Sequence, residues 1–198
     1  LAEVHDGEFR LTANQNVVVA NVAPEKLAGI ETIVAEYGLD QHASPLRQNA
    51  MACVALPTCG LALAESERYL PDLVTKLDGR LAALGLGSQP ITIRMTGCPN
   101  GCARPYIAEI GLVGKGPGRY NLYLGAAFDG SRLSKLYLDN ADEAAILAAL
   151  DEPLAAYASR RRSGEHFGDF VVRAGFVPAT EHGRDFHTET GPRVPALA

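Results

Sequence analysis

The sequence predicts an α+β fold, a mixed sheet with flanking helices. Three observations predict it. Short runs rich in β-branched or alternating apolar residues, NVVVA, ITIRM and YNLYLG, recur through the chain and suit strands. Segments with apolar residues three and four apart lie between and after them, the spacing of one helix face. Neither a GxGxxG fingerprint nor a P-loop pattern occurs, and the glycine-rich GLVGKGPGR matches neither spacing.

Residues 8–20, EFRLTANQNVVVA, hold two short extended segments. Residues 24–38 predict a helix with Leu27, Ile30, Ile33, Val34 and Tyr37 on one face. Pro24 suits its first position and Gly38 its stop. Strand, strand, helix is only half of a small α/β unit, and the polar stretch DQHASPLRQN links it to the rest. Residues 61–78 carry a helical period that Pro71 is expected to kink or divide. GRLAALGLG adds a helical piece, ITIRM at 91–95 a strand, and residues 103–110 a short helical turn. YNLYLG and LSKLYL read as strands, KGPG and FDG as turns. From Asn140 the chain turns helical, with Asn140 or Asp142 as cap. Pro153 is expected to kink that helix or to begin a second one behind Asp151. GDFVVRAGF reads as one more strand and EHGRDFHTETGPRVPALA as an irregular arm.

Composition narrows the function classes. With 198 residues, 47% of them hydrophobic, the chain can build a core and leave room for a smaller second unit. Eighteen basic residues against 23 acidic ones give a formal net charge of −5. A general nucleic-acid binder carries a basic excess, so no nucleic-acid partner is expected. No apolar run is long enough to span a membrane, and no secretory leader precedes the body of the chain. A cytoplasmic location is expected. An opening on Leu1 rather than Met is expected of a chain whose true beginning lies upstream.

The four cysteines fall in two pairs, Cys53 and Cys59 in MACVALPTCG, and Cys98 and Cys102 in MTGCPNGCARPY. They are too sparse for a disulfide framework. Cys53, between Ala52 and Val54, also reads as a small buried hydrophobe. Cys98 and Cys102 flank Pro99, Asn100 and Gly101, which build turns rather than cores. A zinc site built from four cysteines wants short knuckles; the second pair fits, while the first, with five intervening residues, is loose. An iron–sulfur cubane accepts more varied spacings and needs thiolates from two sides. Small residues around both pairs let backbone amides approach the sulfurs. Spacing favours an iron–sulfur cluster, with a four-cysteine zinc structural domain or a self-contained iron–sulfur electron carrier as alternatives. The second pair directly follows ITIRM, and ligands in open α/β sheets bind at the carboxyl ends of strands.

The stretches MACVALPTCGLALAESERYLP and TGCPNGCARPYIAEIGLVGKGPGRYNLYLG resemble the haemoprotein (beta) subunits of assimilatory sulfite reductases, in the siroheme nitrite/sulfite reductase superfamily. FRLTANQNVVVANV and HFGDFVVRAG extend the resemblance across nearly the whole chain. It implies siroheme and a 4Fe-4S cluster ligated by Cys53, Cys59, Cys98 and Cys102, with Cys102 also bridging to the siroheme iron. It implies the six-electron reduction of sulfite to sulfide, in sulfur assimilation toward cysteine biosynthesis. GLVGKGPGRYNLYLG resembles the NADPH-linked branch, in which a flavoprotein reductase subunit delivers the electrons. Siroheme nitrite reductases share the superfamily and remain an alternative.

Family members are considerably longer and internally duplicated. The resemblance therefore implies a carboxyl-terminal portion, with part of a ferredoxin-like half-domain at 1–42 and the cluster-carrying domain at 43–198. The arginines and lysines that grip sulfite belong to the missing amino-terminal portion. No catalytic residue is assigned here, and the isolated piece is expected to be inactive. Charge agrees: siroheme is rich in carboxylates, which need cationic partners, and a chain of net charge −5 is a poor sole host.

Other polar residues have plainer readings beside functional ones. Asn100 either takes a turn conformation or touches the siroheme edge. The resemblance makes Asn14 and Gln15 candidates to bond siroheme carboxylates, against a role in pairing a strand. If extended, the segment puts Gln15 opposite Thr12 and Asn14, so a bulge or turn is needed to bring them together. Arg94 and Arg104, before and after the second cysteine pair, suit charge balance or surface ion pairs. Lys115 and Arg119 read as a solvated hairpin tip and SRRRS as a solvated helix end. None of the five histidines has a ligand spacing such as HxxxH.

Overall fold

The structure, a computed structural model, describes residues 1–39 and 43–187. The chain divides into two compact units, Leu1–Ala43 and Ser44–Ala198.

In the first unit β1 (Glu8–Leu11) and β2 (Val17–Ala20) form an antiparallel hairpin in which Glu8 faces Ala20 and Leu11 faces Val17. The chain reverses through residues 12–16, where the Asn16 amide donates to Thr12 Oγ1 at 3.1 Å and Gln15 adopts φ 63°. The segment holding Asn14 and Gln15 is thus a turn, not a continuous strand. A 3-10 turn at Pro24–Lys26 leads into α1 (Leu27–Glu36), and Gly38 follows it at φ 64°.

The second unit is built on a five-stranded sheet of order β3 (Ala50–Ala52), β4 (Ile93–Thr96), β5 (Ile110–Gly116), β6 (Arg119–Leu124) and β7 (Lys135–Ala141). The first three strands run parallel and the last three antiparallel, sharing β5. A short α2 (Pro45–Gln48), capped by Ser44 Oγ, precedes β3. Helix α3 (Leu70–Ala83) crosses from β3 to β4. Leu70, Leu73, Val74, Leu77 and Leu81 repeat along one face and are buried. Each fully buried leucine contributes about 1.5–3 kcal/mol.

The main core lies between α3, α4 (Glu143–Arg160), α5 (Phe167–Arg173) and one sheet face bearing Ile93, Met95, Ile110, Leu112, Leu122 and Leu124. The opposite face carries a smaller cluster of Val113, Tyr123 and Leu136, covered by Tyr106 and Phe186. Among the described residues no helix is long and apolar enough to cross a membrane.

Several expectations need correction. Pro71 opens α3 rather than kinking it, because a residue without an N–H fits the first turn. Residues 61–69 are turns, pinned by Ser66 Oγ donating to Met95 O at 2.7 Å and Tyr120 Oη to Glu65 O at 2.8 Å. Pro153 lies inside one continuous helix, its ring buried in the core. Asp142 caps that helix, Oδ1 accepting from Ala145 N at 2.9 Å. The FVVR run is helical: Phe167, Phe170 and Val171 stand three and four apart and all bury in the core. Of the tail, residues 183–185 form a 3-10 turn, and 188–198 lie outside the described residues, as do Asp40–His42.

Candidate metal centre

Parallel pairing of β3 and β4, with Ala52 level with Met95, sets their carboxyl ends side by side. Cys53 leaves β3 directly, its amide donating to Met95 O at 3.1 Å. Gly97 and Cys98 leave β4 directly. The two loops are stitched together at Gly97. Its carbonyl accepts from Leu63 N at 2.8 Å and Ala64 N at 3.0 Å. Its amide donates to Cys53 Sγ at 3.3 Å, and such bonds stabilise a thiolate and tune a metal held by it.

This closeness needs glycine. A Cβ on Gly97 would meet Ala55 Cβ and Ala64 O at 2.6 Å, and one on Gly114 of β5 would meet Ala64 Cβ at 2.7 Å. Three strands' worth of backbone pack here with no room for side chains. Within the first loop the Cys59 amide bonds Ala55 O at 2.7 Å. In the second, Gly101 turns the chain at φ 69° and Arg104 follows at φ 54°.

All four thiols are free, Cys98 buried, Cys53 and Cys59 half-buried and Cys102 exposed. Cys53 and Cys98 thus leave neighbouring strands at one rim of the sheet. Among the described residues no three His, Cys, Asp or Glu side chains are grouped as around a single ion. A cubane attaches each thiolate to a different iron, so its sulfurs stand around a body instead of converging on a point. The donor set, the amide aimed at Cys53 Sγ and the glycine-lined backbone fit such a group.

Two arginines flank the second cysteine pair in the chain. Arg94 precedes the loop on β4, and burial, then the neighbouring Arg104, hold its guanidinium below the ordinary arginine range. Arg94 Nη1 and Thr96 Oγ1 are buried without a hydrogen-bond partner among the described residues, a cost unless a further group completes the site. Arg104 Nη2 lies 3.7 Å from Met51 Sδ. Val54, Leu61 and Leu63, all on the first loop, are exposed and give the rim an apolar border.

Asn100 is exposed at the tip between Cys98 and Cys102. Asn14 and Gln15 belong to the first unit. Lys115 pairs with Asp139 at 3.8 Å and Arg119 with Asp142 at 3.1 Å, both solvated. His5 bonds Ala20 O at 3.1 Å, His166 stacks on Phe128, and His187 bonds Tyr123, so each is engaged by groups other than the cysteines. His42 lies outside the described residues. The small residues around the cysteine pairs do let an amide reach a sulfur, that of Gly97; Gly114 carries no signal in the sequence.

Comparison with known proteins gives three findings. Residues 1–37 match the family model of the nitrite/sulfite reductase ferredoxin-like half domain. The chain is 67% identical over 192 residues to the sulfite reductase (NADPH) hemoprotein beta-component of Methylorubrum extorquens, covering 97% of this chain and 31% of that protein. It is 61% identical over 189 residues to the protein of the same name from Nitrobacter hamburgensis, covering 94% and 33%. The chain thus spans about a third of the length of these relatives. The solved structure of the Mycobacterium tuberculosis NirA protein is similar in fold, with TM-score 0.70 and 28% identity over 84% of this chain and 32% of that one.

Proposed function

Because the chain belongs to the haemoprotein beta-subunit family of sulfite reductases, we propose that it supplies the cluster-holding part of an enzyme reducing sulfite to sulfide. Cys53, Cys59, Cys98 and Cys102 would hold a 4Fe-4S cluster, and exposed Cys102 would share its sulfur with the iron of a siroheme. Bound together, these groups supply the stored electrons and the reducing iron centre. The observation that carries the reading is the stitching of two cysteine loops across Gly97, with its amide on Cys53 Sγ at 3.3 Å.

This chain's own residues bind and tune. The Gly97 amide offsets negative charge on the Cys53 sulfur. Arg94 and Arg104 place positive charge beside the thiolates, and the apolar border of Val54, Leu61 and Leu63 keeps water from the rim. Asn100, Asn14 and Gln15 are proposed hydrogen-bond partners for siroheme carboxylates. The groups that grip sulfite are proposed to belong to the rest of the protein. A flavoprotein reductase subunit fed by NADPH is the proposed electron donor, in keeping with the names of the relatives.

Anaerobic reconstitution with iron and sulfide, followed by metal analysis and visible absorption, tests the site. Equal iron and acid-labile sulfide, with a broad band bleached by dithionite, is the expected outcome. Stoichiometric zinc in place of iron would overturn it.

A further inference from the structure

A tyrosine side chain holds the loop between Cys98 and Cys102 from outside. Tyr106, in the 3-10 turn Pro105–Ile107, donates its hydroxyl proton to Pro99 O at 3.2 Å. Its ring lies against Gly101, where an added Cβ would stand 3.1 Å from Cε2.

Tyr106 is itself gripped. Its carbonyl accepts from Ser134 N at 2.8 Å and Ser134 Oγ at 3.0 Å. Its ring meets Tyr123 edge-on at 5.3 Å and Phe186 at 4.8 Å. Phe186 belongs to a segment fastened along β7. Leu136 N donates to Phe186 O at 2.9 Å, Lys135 Nζ donates to Asp185 O, and Thr180 Oγ1 donates to Ser134 O at 3.2 Å. Tyr123 Oη and His187 Nδ1 close the cluster at 2.5 Å.

We propose that Tyr106 is a positioning residue for the Cys98–Cys102 loop, and that residues 180–187 are the strap that keeps it in place. The hydroxyl sets the height of the tip at Pro99, and the ring closes the side of the loop next to buried Cys98. The importance of this for electron transfer rests on the reading that the loop ligates a cluster; the positioning itself does not. Removing the ring admits water beside Cys98. Water favours the more negatively charged reduced state, so the potential of a bound cluster shifts upward.

The test uses the full-length protein with Tyr106→Ala, Tyr106→Phe and Phe186→Ala. In the apo form, alkylation at each cysteine is timed by peptide mass. Tyr106→Ala, which removes both aromatic contacts and the bond to Pro99 O, is expected to speed Cys98 by at least about three- to tenfold, and to leave Cys53 and Cys59 unchanged. Phe186→Ala gives a smaller rise at Cys98, and Tyr106→Phe restores most of the protection. In reconstituted protein, Tyr106→Ala raises the midpoint potential. Equal acceleration at all cysteines, or none at Cys98 in a folded variant, overturns the proposal. Should Tyr106→Ala not fold, Tyr106→Phe and Phe186→Ala carry the same comparison. A wild type that takes up no cluster defeats the cofactor reading alone, because the alkylation rates still decide the role of Tyr106.

Discussion

The backbone amide of Gly97 donates to the sulfur of Cys53 across 3.3 Å, joining residues that leave neighbouring parallel strands. Everything proposed for the site depends on that approach.

Gly97→Ala tests it. The new methyl would overlap Ala55 Cβ and Ala64 O, and such overpacking costs about 1–3 kcal/mol. Urea unfolding should show that loss, and iron uptake should fall by more than the loss of folded protein explains. An unchanged midpoint would mean that the loops can part freely.

The cysteines should separate into two classes. Cys102 is exposed and Cys98 buried, so Cys102→Ser should alter stability by no more than about 0.5 kcal/mol. In the full-length haemoprotein the same change should abolish the coupled haem–cluster spectrum. Cys53→Ser should instead lower cluster content itself. A coupled spectrum that survives Cys102→Ser would remove the bridging role.

Glu109 should give stability an unusual pH dependence. Its carboxyl is buried, and accepts from Thr92 N at 2.8 Å and Gly168 N at 2.7 Å. Desolvation pushes it up to about 7 in spite of those bonds, with Asp169 adding a smaller repulsion. A raised carboxyl makes the folded state hold a proton that the unfolded chain releases. Its contribution is full below the ordinary glutamate range and is lost as pH rises toward 7. Melting temperature measured from pH 4.5 to 7.5 should therefore carry a falling component (~4.5 to 7) that Glu109→Gln removes.

Glu165 acts in the opposite direction. Its bonds to Arg173, at 2.5 Å and 2.7 Å, hold it down at about 2. The folded state prefers the ionised form, so this stabilisation is present above the ordinary glutamate range and is lost as pH falls toward 2. With the melting curve extended from pH 4.5 down to about 2, Arg173→Met should flatten its acid limb and leave the neutral limb alone.

The fold was legible where one rule acted alone. Leu73, Val74 and Leu77 repeat on one face and α3 follows, though it runs unbroken through Leu81 into the piece the sequence suggests is separate. It was illegible where a local preference met tertiary packing. The β-branched Val171 and Val172 favour a strand, yet α5 forms because Phe167, Phe170 and Val171 fill the core together. The glycines of β5 resemble a loop, yet Gly111 and Gly114 are small because Pro105 O and Gly97 O press against the strand. The cysteine pairs announce themselves by spacing, since turn residues surround the second. The Gly97 contact does not, because it is made by backbone across a long sequence gap.

The sheet's division at β5 has a consequence for timing. Strands β5, β6 and β7 are joined by short connections, whereas β3 reaches β4 only after the whole of α3 has been laid down between them. Short loops close sooner than long ones. The hairpins should thus be present before Cys53 meets Gly97, and pulsed alkylation during refolding should find Cys53 still reactive after the β5–β6 amides resist exchange. On the proposed cluster reading, maturation would wait on folding, since the two cysteine loops meet only once β3 and β4 are paired.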